Sequence, residues 1–119
     1  MVIYKDIYIS QGTTFFEKIC LVDDYQQPLS ITNYAVEGRL SKSYYSSTFI
    51  DLNAVVLDAP NGNLQISLSS DESANLKPGR YVYEIVLIDL FQNVTKIVEG
   101  VAIVNPGISV ANNKYVITF

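Results

Sequence analysis

The side chains able to do chemistry in this chain are twelve carboxylates, eight cations, nine tyrosines and one cysteine; there is no histidine and no tryptophan. Without histidine, the usual general base at neutral pH and a principal zinc ligand are both missing. Adjacent acids occur at Asp23-Asp24 and Asp71-Glu72, and Asp58 stands just before Pro60 and Asn61. Calcium requires a full shell of oxygens from a shaped loop, and no D-x-[DN]-x-[DN]-G spacing is present. These acids read as solvated turn residues. A glycosidase needs two carboxylates at a set separation across a cleft, and the spacing singles out no such pair. Phosphate-loop, G-x-G-x-x-G and G-x-S-x-G patterns are absent. Cys20 has no nearby Cys or His to activate it and reads as a small packing residue. The expectation is no catalytic residue, no metal site and no cofactor: this is not an enzyme.

Recognition is the remaining chemistry. Tyr44-Tyr45, flanked by Lys42, Ser43, Ser46, Ser47 and Thr48, reads as an exposed aromatic and polar loop. Such a patch can stack on a sugar or anchor in a partner protein, because Tyr offers large area at small entropy cost. The plainer alternative is a pair of rim tyrosines packed on the end of the fold. Lys5, Lys18, Arg39, Lys42, Lys77, Arg80, Lys96 and Lys114 are scattered, and the net charge is −4. Phosphate backbones are held by clustered cations, so no nucleic-acid partner is expected. No apolar run approaches the ~20 residues that span a bilayer, and the first residues lack a basic, then apolar, leader pattern. No membrane association is expected, and synthesis in a reducing cytoplasm fits a single Cys. Asn93-Val94-Thr95 matches a glycosylation sequon, which carries little weight without a secretion signal.

The elements that must position these groups are strands. At 119 residues, 49% hydrophobic and 17% charged, the chain is one domain with one core. Turn clusters at Gly12, Asp23-Asp24 to Pro28, Ala59 to Asn63, Lys77-Pro78-Gly79, Gln92-Asn93 and Asn105-Pro106-Gly107 punctuate it. Between them, runs rich in Val, Ile, Thr, Tyr and Phe predict strands at 3–10, 14–22, 34–42, 48–57, 63–69, 80–90 and 94–104. Leu64, Ile66 and Leu68 alternate with Gln65, Ser67 and Ser69, the mark of one dry face and one wet face. Tyr34, Val36 and Leu40 likewise oppose Glu37 and Arg39. The stretch 70–76 predicts a single capped helical turn that places Leu76 as a plug at one end. The expected fold is an all-β, antiparallel sandwich of about seven strands, with that helical turn before the penultimate main strand.

Two strands are apolar on both faces. Tyr81, Tyr83, Ile85 and Leu87 lie on one side of 80–90, with Val82, Val86 and Ile88 on the other. In 94–104, Val98, Ala102 and Val104 alternate with Ile97, Val101 and Ile103. One reading is that β-branched residues are simply common on exposed strands. The other is a protein–protein interface through Val82, Val86 and Ile88.

Leu76, Gly79 and Tyr81 have the spacing of a tyrosine corner, in which the Tyr hydroxyl bonds backward to the preceding loop in immunoglobulin-like sandwiches. Together with Gln11-Gly12-Thr13-Thr14-Phe15, Val22-Asp23-Asp24, Pro28-Leu29, 34–44, 62–69 and Val98-Glu99-Gly100, this layout resembles small virion structural proteins of tailed bacteriophages, the T4-like cyanophage type above all. The resemblance spans about residues 10–107 and includes no catalytic motif. It implies a non-enzymatic structural protein of the head, neck, tail or baseplate, made in the host cytoplasm and located in the virion. Its implied partners are other virion proteins and further copies of itself. A carbohydrate- or host-receptor-binding module on the same scaffold is the alternative.

The sandwich domain is expected over 1–107, with a C-terminal extension over 108–119. There Tyr115, Ile117 and Phe119 alternate with Val116 and Thr118. That pattern predicts a strand pairing with a free sheet edge, its own or a neighbour's. A frayed terminus is the alternative.

Overall fold

The computed structural model describes residues 2–107. The extension 108–119, with Tyr115, Ile117 and Phe119, lies outside the described residues.

The dry face Leu64, Ile66 and Leu68 puts β7 (Asn63–Leu68) at the centre of a three-stranded antiparallel sheet. Its neighbours are β3 (Phe15–Cys20) and β6 (Val55–Asp58). Facing it is a larger sheet in the order β1 (Ile3–Tyr4), β9 (Val94–Asn105), β8 (Gly79–Ile88), β4 (Ala35–Ser41), β5 (Ile50–Asp51). Strand β2 (Ile7–Ser10) continues the β1 edge along β9. The result is an all-β sandwich. Its core joins Leu64 and Ile66 to Leu40, Tyr83, Ile85 and Val98 of the opposing sheet.

Two of the seven expected strands are each two. Residues 3–10 break between β1 and β2, and both pieces run parallel to β9, so the sandwich is not wholly antiparallel. The break satisfies specific groups. The Lys5 amide still donates to Glu99 O, but the Lys5 carbonyl turns to accept the buried Tyr83 hydroxyl. The Asp6 carboxylate accepts from the Val101 amide at 3.2 Å, in place of a backbone acceptor. Gly100 makes this crossing possible: a Cβ there would lie 2.0 Å from Lys5 O.

Residues 48–57 divide into β5 and β6, on different sheets. Leu52, fully buried, ties the two together: its amide donates to Gly38 O and its carbonyl accepts from the Ser67 amide. Asn53 turns the chain at φ 52°, with its amide held by the Asp51 carboxylate at 2.8 Å.

One end of the sandwich is closed by α1 (Ser70–Ala74). Ser69 and Glu72 form a reciprocal capping box, each side chain taking the other's backbone amide. Ser73 is fully buried; its hydroxyl donates to Thr13 O at 2.7 Å and accepts from the Gly12 amide at 3.0 Å. The Gln11 side chain donates to Leu76 O and accepts from the Gly107 amide. Leu76 is buried beneath this network. Gly79, at φ 141°, starts β8, and the Tyr81 hydroxyl donates back to Lys77 O at 2.8 Å.

Cys20 departs from the expected packing role. It is exposed, because parity along β3 sends Phe15 and Ile19 to the core and Cys20 outward.

Candidate functional site

The outer face of the larger sheet carries Val82, Val86 and Ile88, the apolar residues singled out on β8. Residues pointing away from the core stack in cross-strand rows, set by the β4–β8–β9 register. At one end of β8 lie Ala35, Ile88 and Val94; then Glu37, Val86 and Lys96; then Arg39, Glu84 and Glu99; then Ser41, Val82 and Val101. Apolar rows therefore flank a charged band.

The charged band crosses the face that holds Val82, Val86 and Ile88. Glu84 and Glu99 are direct cross-strand neighbours, an arrangement that repels on its own. Lys96 bridges them, at 3.4 Å to Glu84 and 2.9 Å to Glu99. Arg39 then joins Glu84 at 3.6 Å and Glu37 at 3.1 Å. The chain of alternating charge runs Glu37, Arg39, Glu84, Lys96, Glu99. Hydrogen bonding to Glu99 raises the Lys96 pKa, and the same bond lowers that of Glu99. Hydrogen bonding to Glu99 also raises the Tyr4 hydroxyl above its ordinary value. Val86 sits between Glu37 and Lys96 and is 3% exposed, so it offers no surface to a partner. Val82 and Ile88 are half-buried on either side of the band.

A β-bulge creates this band. The β8–β9 register shifts so that Ile85 pairs with Val98 and Val86 with Lys96. The extra residue, Ile97, joins Val98 in the core, and Lys96 swings to the outer face. Strict alternation puts Ile97 and Val98 on opposite faces. One inserted residue overrides that pattern, because strand side chains repeat every second position.

Over the middle of this face folds the loop 42–49. The Ser41 hydroxyl donates to Thr48 O at 3.0 Å, closing its base, and the Tyr45 amide donates to the Ser43 hydroxyl oxygen. Two aromatic–cation contacts attach the loop to the charged band. The Arg39 guanidinium lies 5.5 Å from the Phe49 ring centroid, and the Lys96 ammonium 5.6 Å from that of Tyr44. Between loop and sheet is a depression of about 190 Å³, bounded by Arg39, Tyr44, Thr48, Phe49, Val82 and Glu84, among others. Tyr44 and Tyr45 thus part company. Tyr44 lines the depression, whereas Tyr45 is 98% exposed and outside it. Phe49 and Arg39 were not singled out from sequence; only the fold places them beside Tyr44.

The β8–β9 turn is different again. Asp89 accepts from the amides of Phe91 and Asn93, both at 2.8 Å, and from the Asn93 side chain at 3.1 Å. The Asn93 backbone hydrogen bond is the main cause holding the Asp89 carboxyl below its ordinary range. With its polar groups satisfied internally, the turn projects Leu90 and Phe91, 72% and 86% exposed. Val94 and Tyr34, at the same end, are also exposed, and Ile88 is half-buried. Sequence reading took this segment only as a turn. The Leu90-Phe91 pair, two apolar residues where turns are usually polar, was the available signal.

Among the described residues, no cluster of carboxylates and thiols could hold a metal ion, and no helix is long and apolar enough to cross a membrane.

Comparison with known proteins fixes the fold. The chain is similar to the N-terminal domain of ORF48 from phage TP901-1, at 15% identity and a TM-score of 0.58, covering 84% of each chain. It is also similar to part of the Listeria monocytogenes internalin-like protein lmo2027, at 18% identity and a TM-score of 0.50, covering 87% of this chain and 28% of that one. No protein-family model and no curated protein matches the sequence. At these identities the likeness is one of fold.

Proposed function

We propose that this chain is a non-enzymatic structural module of a tailed-phage particle, assembled through protein–protein contacts with neighbouring virion proteins, further copies of itself included. The observation that carries the reading is the shared fold with a phage domain along 84% of both chains. The strand order supports an immunoglobulin-like version of that fold, with a three-strand sheet opposed to a larger one and a backward-bonded tyrosine opening β8. The contact surface is the β8–β9 end, where Leu90, Phe91 and Val94 meet solvent on a turn that is hydrogen-bonded to itself. A rigid turn carrying bare apolar side chains loses little conformational freedom when a partner covers it.

Mass spectrometry of gradient-purified particles of the phage that encodes the protein tests the role. Recovery in fixed ratio to the other structural proteins is expected. Recovery only from the soluble lysate overturns the proposal, and localisation of a tagged copy by cryo-electron microscopy then assigns head, neck, tail or baseplate.

A further inference from the structure

We propose that the depression under loop 42–49 binds the terminal, uncharged pyranose of a glycan chain. The inference goes beyond the assembly role and uses a different surface, so either can fail without the other. The depression has aromatic side chains from two loop positions, Tyr44 and Phe49, each more than half exposed. An exposed ring face packs against the C–H face of a pyranose, and a tyrosine adds a hydroxyl at its edge. Arg39 and Glu84 bound the same space. A guanidinium has five N–H donors and a carboxylate about four acceptor sites. Arg39 commits Nε to Glu37 and one terminal nitrogen to Glu84. Donors on Arg39 and lone pairs on Glu84 are left for neighbouring hydroxyls of a sugar, one set accepting and the other donating.

Charge decides the class of ligand. Arg39 and Lys96 are each bridged by two carboxylates, so neither is a free cation for a phosphate or a uronate. Glu84 is itself engaged by both cations, which leaves no free anion for an ammonium. A purely apolar ligand would cover the Thr48 hydroxyl and the remaining donors of Arg39 without pairing them. About 190 Å³ is small beside the ~300–1,000 Å³ of pockets for drug-sized ligands, which suits a single ring. The loop is tied at its base and to the sheet before any ligand arrives, so the site is preformed.

The test is saturation-transfer and chemical-shift NMR of the whole protein with methyl glycosides of glucose, galactose, mannose and N-acetylglucosamine, and with methyl glucuronide as the charged comparator. At least one neutral glycoside is expected to receive saturation and to bind more tightly than the glucuronide. Tyr44→Ala and Phe49→Ala are each expected to weaken it fivefold or more, while Tyr45→Ala changes its affinity less than twofold. Amide spectra of each variant establish that it is folded. Failure of every neutral glycoside to bind overturns the proposal. So does tighter binding of the glucuronide, or an affinity lost equally in Tyr45→Ala.

Discussion

The two ends of β8 are built on opposite terms. Where the strand begins, α1 covers the sandwich, Leu76 is buried, and Ser73, Gln11 and Tyr81 tie loop backbone to loop backbone. Where it ends, the Asp89 turn satisfies only itself and leaves Leu90 and Phe91 in water. Both ends face the same demand, that backbone groups leaving a sheet find partners. The first meets it chiefly with the long-range bonds of Ser73 and Gln11, which hold separate segments together. The second meets it locally, so its side chains contribute little to folding and remain available to another molecule.

That contrast is broken most readily by truncating one apolar side chain at each end. Leu76→Ala should cost about 2–5 kcal/mol, the range for a buried large-to-small change. Phe91→Ala should shift stability by no more than about 0.5 kcal/mol, as for surface positions without a structural role. Paired urea or guanidinium denaturation curves check both, and similar costs at the two ends would remove the distinction.

Polar deletions at the closed end come next in size. Ser73→Ala leaves the Gly12 amide and the Thr13 carbonyl without their side-chain partner, at a cost of about 1–3 kcal/mol. Tyr81→Phe removes one hydrogen bond to Lys77 O and should cost about 1 kcal/mol. A denaturation midpoint unchanged in either variant would mean that these bonds form without holding the end shut.

How much of this was legible depends on whether the signal is local. The dry face of β7 and the short helical turn after it are signalled within a few residues, and the fold carries both, although the cap falls on Ser69, one residue before the expected segment. The Tyr81 hydroxyl bonds back to Lys77 O. The missed features depend on a distant partner. The break at Lys5-Asp6 is visible only once Tyr83 and Gly100 lie beneath it. The bulge at Ile97 replaces strict alternation with a residue count set by β8. Val86 has the character of a surplus surface residue until Glu37 and Lys96 flank it. In the candidate site, Tyr44 is a candidate from its sequence neighbours alone, whereas Arg39 and Phe49 meet it only through the sheet register and the loop that folds over it.

The smallest effect sharpens the contrast through pH. Glu72 at the closed end is held below its ordinary range mainly by the Ser69 backbone hydrogen bond, and Asp89 at the open end by that of Asn93. A carboxylate with a depressed folded pKa adds stability above its unfolded pKa, about 4, and loses it as pH falls through the folded value. Acidification below about pH 4 should therefore loosen both ends, with different consequences. Protonating Glu72 frees α1 and lowers global stability slightly, so Glu72→Gln should flatten the acid limb of the denaturation profile. Protonating Asp89 should raise exchange only at the Phe91 and Asn93 amides, as hydrogen exchange would record. Equal spread of exchange from both sites would contradict the division.

The most direct test of the account is incorporation of a folded variant whose open end is stripped of its apolar side chains. A phage carrying Leu90→Ser with Phe91→Ser is compared with wild type by quantitative mass spectrometry of purified particles. Burying both side chains in a contact is worth about 3–6 kcal/mol, or two to four orders of magnitude in affinity. The account predicts a soluble protein with wild-type denaturation behaviour that is lost from the particles. Wild-type copy number in the particles would contradict it.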